Sequence, residues 1–482
     1  MKKTIFTLSF ILFFGFLSAQ HDENKWFYAN MHVESAQALK NLDPDGIQIL
    51  ATHTNQSAVY VNEELAHHLH HNILTHGPGF LLRKSEEDAV SFIQKSFESR
   101  FNVMDFTITE DAFVEQCIDL VNAQNIEETI LMLQAFGTRY HERPEAVQAI
   151  NAIKAKWEAL AAAAGRTDVS FEIVEHFGSP MPSLIMTING VDNPDEYVII
   201  GGHADSITWS ASNAPGADDN ASGIGTITEV IRVLLETGYR PQKTVQFMAY
   251  AAEEIGLVGS DEIAQTYFDE GKNVVAYVQF DMTNYKGSTQ DIAIIEDDHT
   301  SDDLNIFLIE LLEHYNSTGA HALTYTSSAC NYACSDHASW EARGYLASFP
   351  FEARFNQSNP EIHTTGDVYS VSGNSNHAAK FSKLGLEFII EVAKRSTLST
   401  SEVDKPTANV VVNNKELLYE INNMNGKIKS LNIVDTSARN VLSKSDLETK
   451  GKISIASLPA GVYVAVFKDA NGKSIVKKFL VK

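Results

Sequence analysis

Residues 197–205 read YVIIGGHAD. An apolar run with no polar alternation, stopped by two glycines and a histidine, is the pattern of a strand buried on both faces, as in a parallel sheet covered by helices. Three further runs have the same character: KTVQFMAYAA at 243–252, NVVAYVQFD at 273–281 and GYLASFPFE at 344–352. Between them lie amphipathic helical stretches such as TITEVIRVLLETG (226–238) and DDLNIFLIELLEHY (302–315). Strands alternating with helices predict an α/β unit over 107–397, a mostly parallel twisted sheet sandwiched by helices.

The polar residues of this unit collect where strands end. The first run closes on His203 with Asp205 beside it, the second is followed by Glu253-Glu254, and the third closes on Asp281. In an open parallel sheet the carboxyl ends of the strands form the crevice where ligands bind, so these groups are expected to converge. Taken singly, each has an ordinary reading: a histidine after a strand is a loop residue, and a Glu pair before a helix complements its dipole. The loop APGADDNASG (214–223), just before a helix, adds Asp218 and Asp219, and NPEIHTT (359–365) adds His363. Capping accounts for one such side chain, but not for this much charge in a nest of small residues.

A pair of divalent ions accounts for all of it. Two cations roughly 3.5–4 Å apart need carboxylates to neutralise them and one carboxylate to bridge them, with imidazoles completing the coordination and space for a bridging hydroxide. His203, Asp219, Glu254, Asp281 and His363 supply that set, and Glu253 remains as an acid free to carry protons.

The rest of the chain bounds the setting. Its 482 residues hold 37 basic and 62 acidic side chains, a formal charge of −25 that argues against nucleic acid as a partner. Residues 1–20, MKKTIFTLSFILFFGFLSAQ, have two lysines, an apolar stretch too short to span a bilayer and small residues near Ala19, the pattern of an export signal; no later run is long enough to span a membrane. Of the three cysteines, Cys330 and Cys334 in CNYAC are expected to close a small disulfide loop, the alternatives being free thiols or an incomplete metal site; Cys117 is expected to be a buried helical residue. Residues 21–106 mix strand-like QSAVYVN with helical EEDAVSFIQKSFES and read as an α+β unit. Its His67, His68, His70 and His71 lack acidic or cysteine companions and read as incidental histidines on an exposed helix. A Ser/Thr/Pro-containing linker is expected over 398–407, followed by a lysine-rich β-sandwich over 408–482 with turns at Asn425-Gly426 and Asn471-Gly472.

The stretches GGHADS, APGADDNASGIGTITEVIRVL, FMAYAAEEIGLVGS, QFDMTNYKGS, CNYACSDHASW and NPEIHTT closely resemble, in order, those of the secreted bacterial leucyl aminopeptidases with a co-catalytic di-zinc site, over roughly three-fifths of the chain. The resemblance implies two zinc ions per chain. Asp219 would bridge them, with Glu254 and His363 at one and His203 and Asp281 at the other. Glu253 would be general base and then acid, Asp205 would orient His203, and Tyr332 would donate a hydrogen bond to the oxyanion. It also implies a cis peptide after Asp219; the following residue is Asn220, where the relatives carry a third aspartate. Met282, Ile295, Phe349, Phe351, Phe355 and Ile362 match pocket-lining positions and are all apolar, which suits a large apolar first residue; Ser358 stands where an aromatic is expected.

Residues 21–106 occupy the place of an inhibitory propeptide in such enzymes. The tail, with SLNIVDTSARNVL and the stretch from Ile453 to the end, resembles the C-terminal sorting domain of type IX secretion substrates, which implies contact with the outer-membrane secretion machinery and a secreted or cell-surface enzyme. A monomer acting on peptides with a free amino terminus is the expectation. Two other functions fit parts of the pattern: a single-zinc glutaminyl cyclase on the same fold, which would not need all five ligands, and a non-catalytic surface module, which would not need Glu253.

Overall fold

A computed structural model describes residues 25–69, 76–94, 106–396, 407–413, 415–422, 428–435, 439–468 and 474–481. The export signal, most of the linker, His70, His71 and the two turn dipeptides lie outside the described residues.

The N-terminal unit is a four-stranded antiparallel sheet built from β1 (Trp26–His32), β2 (Ile47–His53), β3 (Gln56–Asn62) and β4 (Phe80–Arg83), in the order β2-β3-β1-β4. The helix Val33–Leu42 closes a small core of Ala29, Met31, Leu39, Val59 and Val61. The histidine-bearing helix differs from expectation: it spans only Glu63–His68, and burial of Leu65 and Ala66 draws His67 and His68 into half-buried positions.

The central sheet runs β12-β9-β7-β8-β6-β5, from β5 (Val169–His176), β6 (Ser179–Ile188), β7 (Asn193–His203), β8 (Lys243–Tyr250), β9 (Asn273–Gln279) and β12 (Ala347–Ser348). Its middle is parallel, with β7 between β8 and β9 and β12 alongside β9. The other edge is antiparallel, because only Phe177-Gly178, with Gly178 at φ 78°, separates β5 from β6, and so tight a connection makes a hairpin. Successive residues of the middle strands face opposite cores: Val198, Ile200, Phe247 and Val278 join the helices Ala123–Gln134, Pro144–Ala163, Ala221–Glu236 and Ser375–Ala393, while Ile199, Met248 and Tyr277 meet Ile263 and Tyr267 of the helix Val258–Asp269. This is why those strands carry no polar alternation.

The run GYLASFPFE is split. Ala347–Ser348 pairs with β9, whereas β13 (Pro350–Phe351) joins a separate small sheet with β10 (Ile292–Ile295) and β11 (Tyr325–Ser328). The C-terminal unit is a sandwich of two antiparallel sheets, β14-β15-β18 (Thr407–Asn413, Glu416–Asn422, Lys450–Ser454) and β17-β16-β19-β20 (Asn440–Leu447, Ile428–Asp435, Gly461–Lys468, Ser474–Val481), closed over Leu417, Leu431, Ile433, Phe467 and Phe479. Among the described residues, no helix is long and apolar enough to cross a membrane.

Candidate metal centre

The three middle strands deliver their polar residues to one rim. Gly201 of β7 is in register with Gln279 of β9, and His203 with Tyr250 of β8, so Asp281 and the Glu253-Glu254 pair emerge beside His203. Left-handed backbone at Ala252 (φ 55°), Met282 (φ 57°) and His363 (φ 56°) turns the chain next to Glu253, next to Asp281 and at His363 itself; such conformations are uncommon without glycine and gather at functional sites. A Cβ on Gly202 would lie 2.4 Å from the Phe280 carbonyl oxygen, so the close passage of these two segments requires glycine there.

Asp219 lies at the centre, and its two oxygens face different partners. Oδ1 is 3.1 Å from His203 Nε2, which is itself 3.3 Å from Asp281 Oδ1. Oδ2 is 2.9 Å from His363 Nε2, which is 3.4 Å from Glu254 Oε2. All five ligand residues named from the sequence therefore meet, in two sets that share Asp219. Both Asp219 oxygens, Asp281 Oδ1, both His203 ring nitrogens and both Glu253 oxygens are buried without a hydrogen-bond partner. Buried carboxylates in that condition are costly unless a cation completes them. The donor set of carboxylate oxygens and imidazole nitrogens is one that zinc accepts, so these residues fit the metal the sequence implied.

The surrounding groups hold this set in place. Asp205 accepts from the amides of Glu253 (3.1 Å) and Glu254 (3.2 Å), while its Oδ1 is 3.5 Å from His203 Nδ1. Its closest contacts are thus to the Glu253-Glu254 loop rather than to the histidine. Asp367 accepts from the amides of Asp218 (3.0 Å) and Asp219 (3.1 Å), Ser335 donates to Asp281 Oδ2 at 2.6 Å, and buried Arg139 donates to the carbonyls of Ala204, Pro215 and Gly216. The peptide between Asp219 and Asn220 is cis. Asn220 caps the helix Ala221–Glu236 by accepting from Gly223 N, and its amide nitrogen donates to the Phe280 carbonyl at 3.0 Å, a bond an ionised aspartate there could not make.

Burial, opposed by His203 and reinforced by Glu254, raises the Glu253 carboxyl well above its ordinary range. Asp219 moves the other way: against burial, His203 and His363 hold it well below the usual carboxylate range. Burial also lifts Asp218, to about 6, and Glu352 well upward; these two acids share a hydrogen bond and so share a proton.

Met282, Ile295, Phe349, Phe351, Phe355 and Ile362 form one buried apolar cluster with Tyr332 and the Cys330–Cys334 disulfide. Cys117 is buried in the helix Asp111–Ile118. Sequence reasoning missed Arg139, Asp367, Ser335 and His76. Ser335 lies inside a quoted motif and Asp367 four residues beyond His363, whereas Arg139 carries no sequence signal beyond its charge. His76 sits in LTHGPG, just past the histidine cluster that drew attention instead. Its Nε2 is 3.3 Å from Asp281 Oδ2 and 3.9 Å from Asp219 Oδ2.

A mixed α/β sheet with carboxylates and imidazoles converging at the ends of its parallel strands defines the class as a metal-dependent α/β hydrolase. Residues 183–387 match the model of peptidase family M28, and residues 407–482 match that of the secretion system C-terminal sorting domain. The chain is 35% identical over 289 residues to leucine aminopeptidase 1 of Trichoderma harzianum, covering 57% of this chain and 70% of that one. It is 33% identical over 291 residues to leucine aminopeptidase 1 of Coccidioides posadasii, covering 57% and 72%. Among solved structures it resembles the LapA aminopeptidase of Legionella pneumophila (TM-score 0.67, 29% identity, 78% of this chain and 100% of that one) and LapB of the same organism (TM-score 0.67, 26% identity, 77% and 100%). The chain belongs to peptidase family M28 and is an aminopeptidase of that family, whose members are zinc-dependent. Its C-terminal sorting domain marks it for type IX secretion, to the cell surface or beyond.

Proposed function

We propose that the enzyme removes large apolar residues from the amino termini of peptides, using two zinc ions held by His203 and Asp281 on one side, Glu254 and His363 on the other, and Asp219 between them. The observation that carries this reading is the division of Asp219: each carboxylate oxygen faces a different histidine, and each histidine faces a different second acid. Bound zinc polarises a carbonyl and lowers the pKa of water.

The protein's own groups do the rest. Glu253, buried with no hydrogen-bond partner and with its carboxyl pushed up by burial, takes a proton from the attacking water onto one of its oxygens and returns it to the departing amine nitrogen. The Tyr332 hydroxyl donates to the carbonyl oxygen of the scissile bond. The cluster of Met282, Phe349, Phe351, Phe355 and Ile362 receives the first side chain and excludes water from it. Asp205 keeps the Glu253-Glu254 loop in register with His203. In this reading residues 1–20 direct export, 21–106 form a propeptide, 107–397 the catalytic domain, 398–407 a linker and 408–482 the sorting domain, and the enzyme works as a monomer.

The test is a Glu253→Ala variant of the mature enzyme, with zinc per chain measured beside leucyl p-nitroanilide turnover. Zinc content should be unchanged and kcat about 10²–10⁴-fold lower. Near-normal turnover with full zinc would remove Glu253 from the mechanism.

A further inference from the structure

We infer that His76 of the N-terminal unit is a built-in substrate mimic that plugs the metal centre of the uncleaved chain, its backbone held by Tyr332 and its imidazole Nε2 placed as an additional metal ligand. The inference rests on the reading of this site as an aminopeptidase metal centre.

The imidazole is only 1% exposed, although it comes from a unit with its own sheet and its own core. Nδ1 lies 2.8 Å from the Cys334 carbonyl oxygen, and a carbonyl can only accept, so Nδ1 carries the proton. Nε2 is then aimed at Asp281 Oδ2, 3.3 Å away, and Asp219 Oδ2, 3.9 Å away, with no hydrogen-bond partner. An imidazole nitrogen facing two carboxylates needs a proton or a metal cation between them, and a metal held by Asp219 and Asp281 would displace the proton. The second ring nitrogen fixed by a carbonyl is also the usual arrangement of a ligating histidine.

The main chain of His76 imitates a peptide in the site. Tyr332 Oη donates to the His76 carbonyl at 2.6 Å and accepts from the His76 amide at 3.1 Å. The hydroxyl assigned above to the scissile carbonyl is therefore already engaged. The side chain fills the apolar cleft, its ring centroid 5.7 Å from Phe351, 6.4 Å from Phe355 and 6.5 Å from Phe349, and it stacks on His363 at 6.4 Å. Unlike a substrate residue, His76 follows Thr75 in the chain and has no free α-amino group, so an exopeptidase site holds it without cleaving it.

The strand behind the plug is fastened to the catalytic unit. Gly77 (φ 65°) passes so close to Cys334 that a Cβ would lie 2.2 Å from its carbonyl oxygen. Leu82 N donates to the Gly256 carbonyl at 3.0 Å. Arg83 meets Asp261 at 2.7 Å, and Arg343 grips the other oxygen of that carboxylate at 2.6 Å. These contacts keep the plug from leaving by a side-chain rotation alone.

The experiment compares three uncleaved chains, wild type, His76→Ala, and Gly77→Ala, which keeps the imidazole but cannot seat it. Each is read by leucyl p-nitroanilide turnover, by the visible spectrum of the cobalt(II)-substituted protein and by the rate at which dipicolinate removes zinc. Both variants should turn over about tenfold faster than uncleaved wild type or more, show altered cobalt bands, and lose zinc about 10–100-fold faster. An active mature enzyme, with wild-type turnover, spectrum and zinc loss in both uncleaved variants, overturns the plug. Altered cobalt bands with no turnover in any form, mature included, support the ligand assignment and count against the aminopeptidase reading.

Discussion

Asp205 offers the sharpest test of how the site is held together. Its carboxylate accepts from two consecutive buried amides, those of Glu253 and Glu254. Replacement by alanine leaves both donors unsatisfied at about 1–3 kcal/mol each, hence roughly 2–6 kcal/mol in all. For a catalytic unit of this size that corresponds to a fall in melting temperature of about 3–10 °C. Asparagine recovers only one of the two bonds, because its amide nitrogen would face an N–H, so Asp205→Asn should fall between wild type and alanine. The functional effect should exceed the thermal one: a shift of about 1 Å in a reacting group costs on the order of 10²-fold in rate, and loss of a supporting acceptor costs about 10–100-fold in metal affinity. Calorimetry, zinc per chain and turnover of the mature enzyme at saturating zinc measure the three quantities. If Asp205→Ala kept wild-type melting, zinc content and turnover, the anchoring of the Glu253-Glu254 loop by this carboxylate would be refuted.

Stripping the metal with a chelator should lower the melting temperature, because the buried carboxylates are left to repel one another; restoring zinc at about a hundred times its dissociation constant should return about 2.7 kcal/mol by mass action. Ser335→Ala should cost about 1 kcal/mol of stability and weaken zinc binding about tenfold, since Asp281 Oδ2 loses its donor while the ligand itself remains. Glu387 is buried in the helix Ser375–Ala393, one oxygen accepting from Asn316 Nδ2 at 3.0 Å, and burial lifts its carboxyl from 4.5 to about 8. The folded protein therefore holds a proton there that the unfolded chain releases, and stability is lost as pH rises from about 4.5 to about 8, by at most about 5 kcal/mol. Glu387→Gln should melt like wild type near pH 5 and several degrees higher at pH 8.5; an equal difference at both pH values would refute the buried proton.

The middle of the catalytic unit was legible because two constraints coincide there. Strands covered on both faces must be apolar throughout, and the chemistry must follow where the apolar run stops, so His203, Glu253-Glu254 and Asp281 are punctuation as well as candidate ligands. The antiparallel β5-β6 edge was harder to see, since Val169–His176 is only partly buried and its pairing is decided by a short turn. GYLASFPFE misled for a related reason: its apolar character is real, but the chain changes sheets at Phe349, and hydrophobic pattern carries no record of which sheet a residue joins. The supporting residues were illegible in proportion to how far in sequence they lie from what they support. Asp205 sits two residues from His203, whereas Arg139 reaches the 215–216 turn from a separate helix–loop segment, and His76 reaches Asp281 from another unit altogether.

The acidic surroundings also sort themselves by how each charge is met. Asp205 and Asp367 each take two backbone amides, and Arg139 lies near both. Asp218 and Glu352 share a proton and accept further bonds from Asn284, Asn359 and Tyr285. Asp261, at the junction with the N-terminal unit, is held by two arginines. Asp219 and the facing oxygen of Asp281 have no such donors and meet only imidazoles, themselves short of partners at His203 and His76. A fold able to supply amides, arginines and protons to Asp205, Asp367, Asp218, Glu352 and Asp261, yet withholding them from these oxygens, has left their charge for a cation. Because His76 points Nε2 at Asp219 Oδ2 and at the other oxygen of Asp281, that cation and the N-terminal unit bear on the same two carboxylates, and the state of one must change the binding of the other.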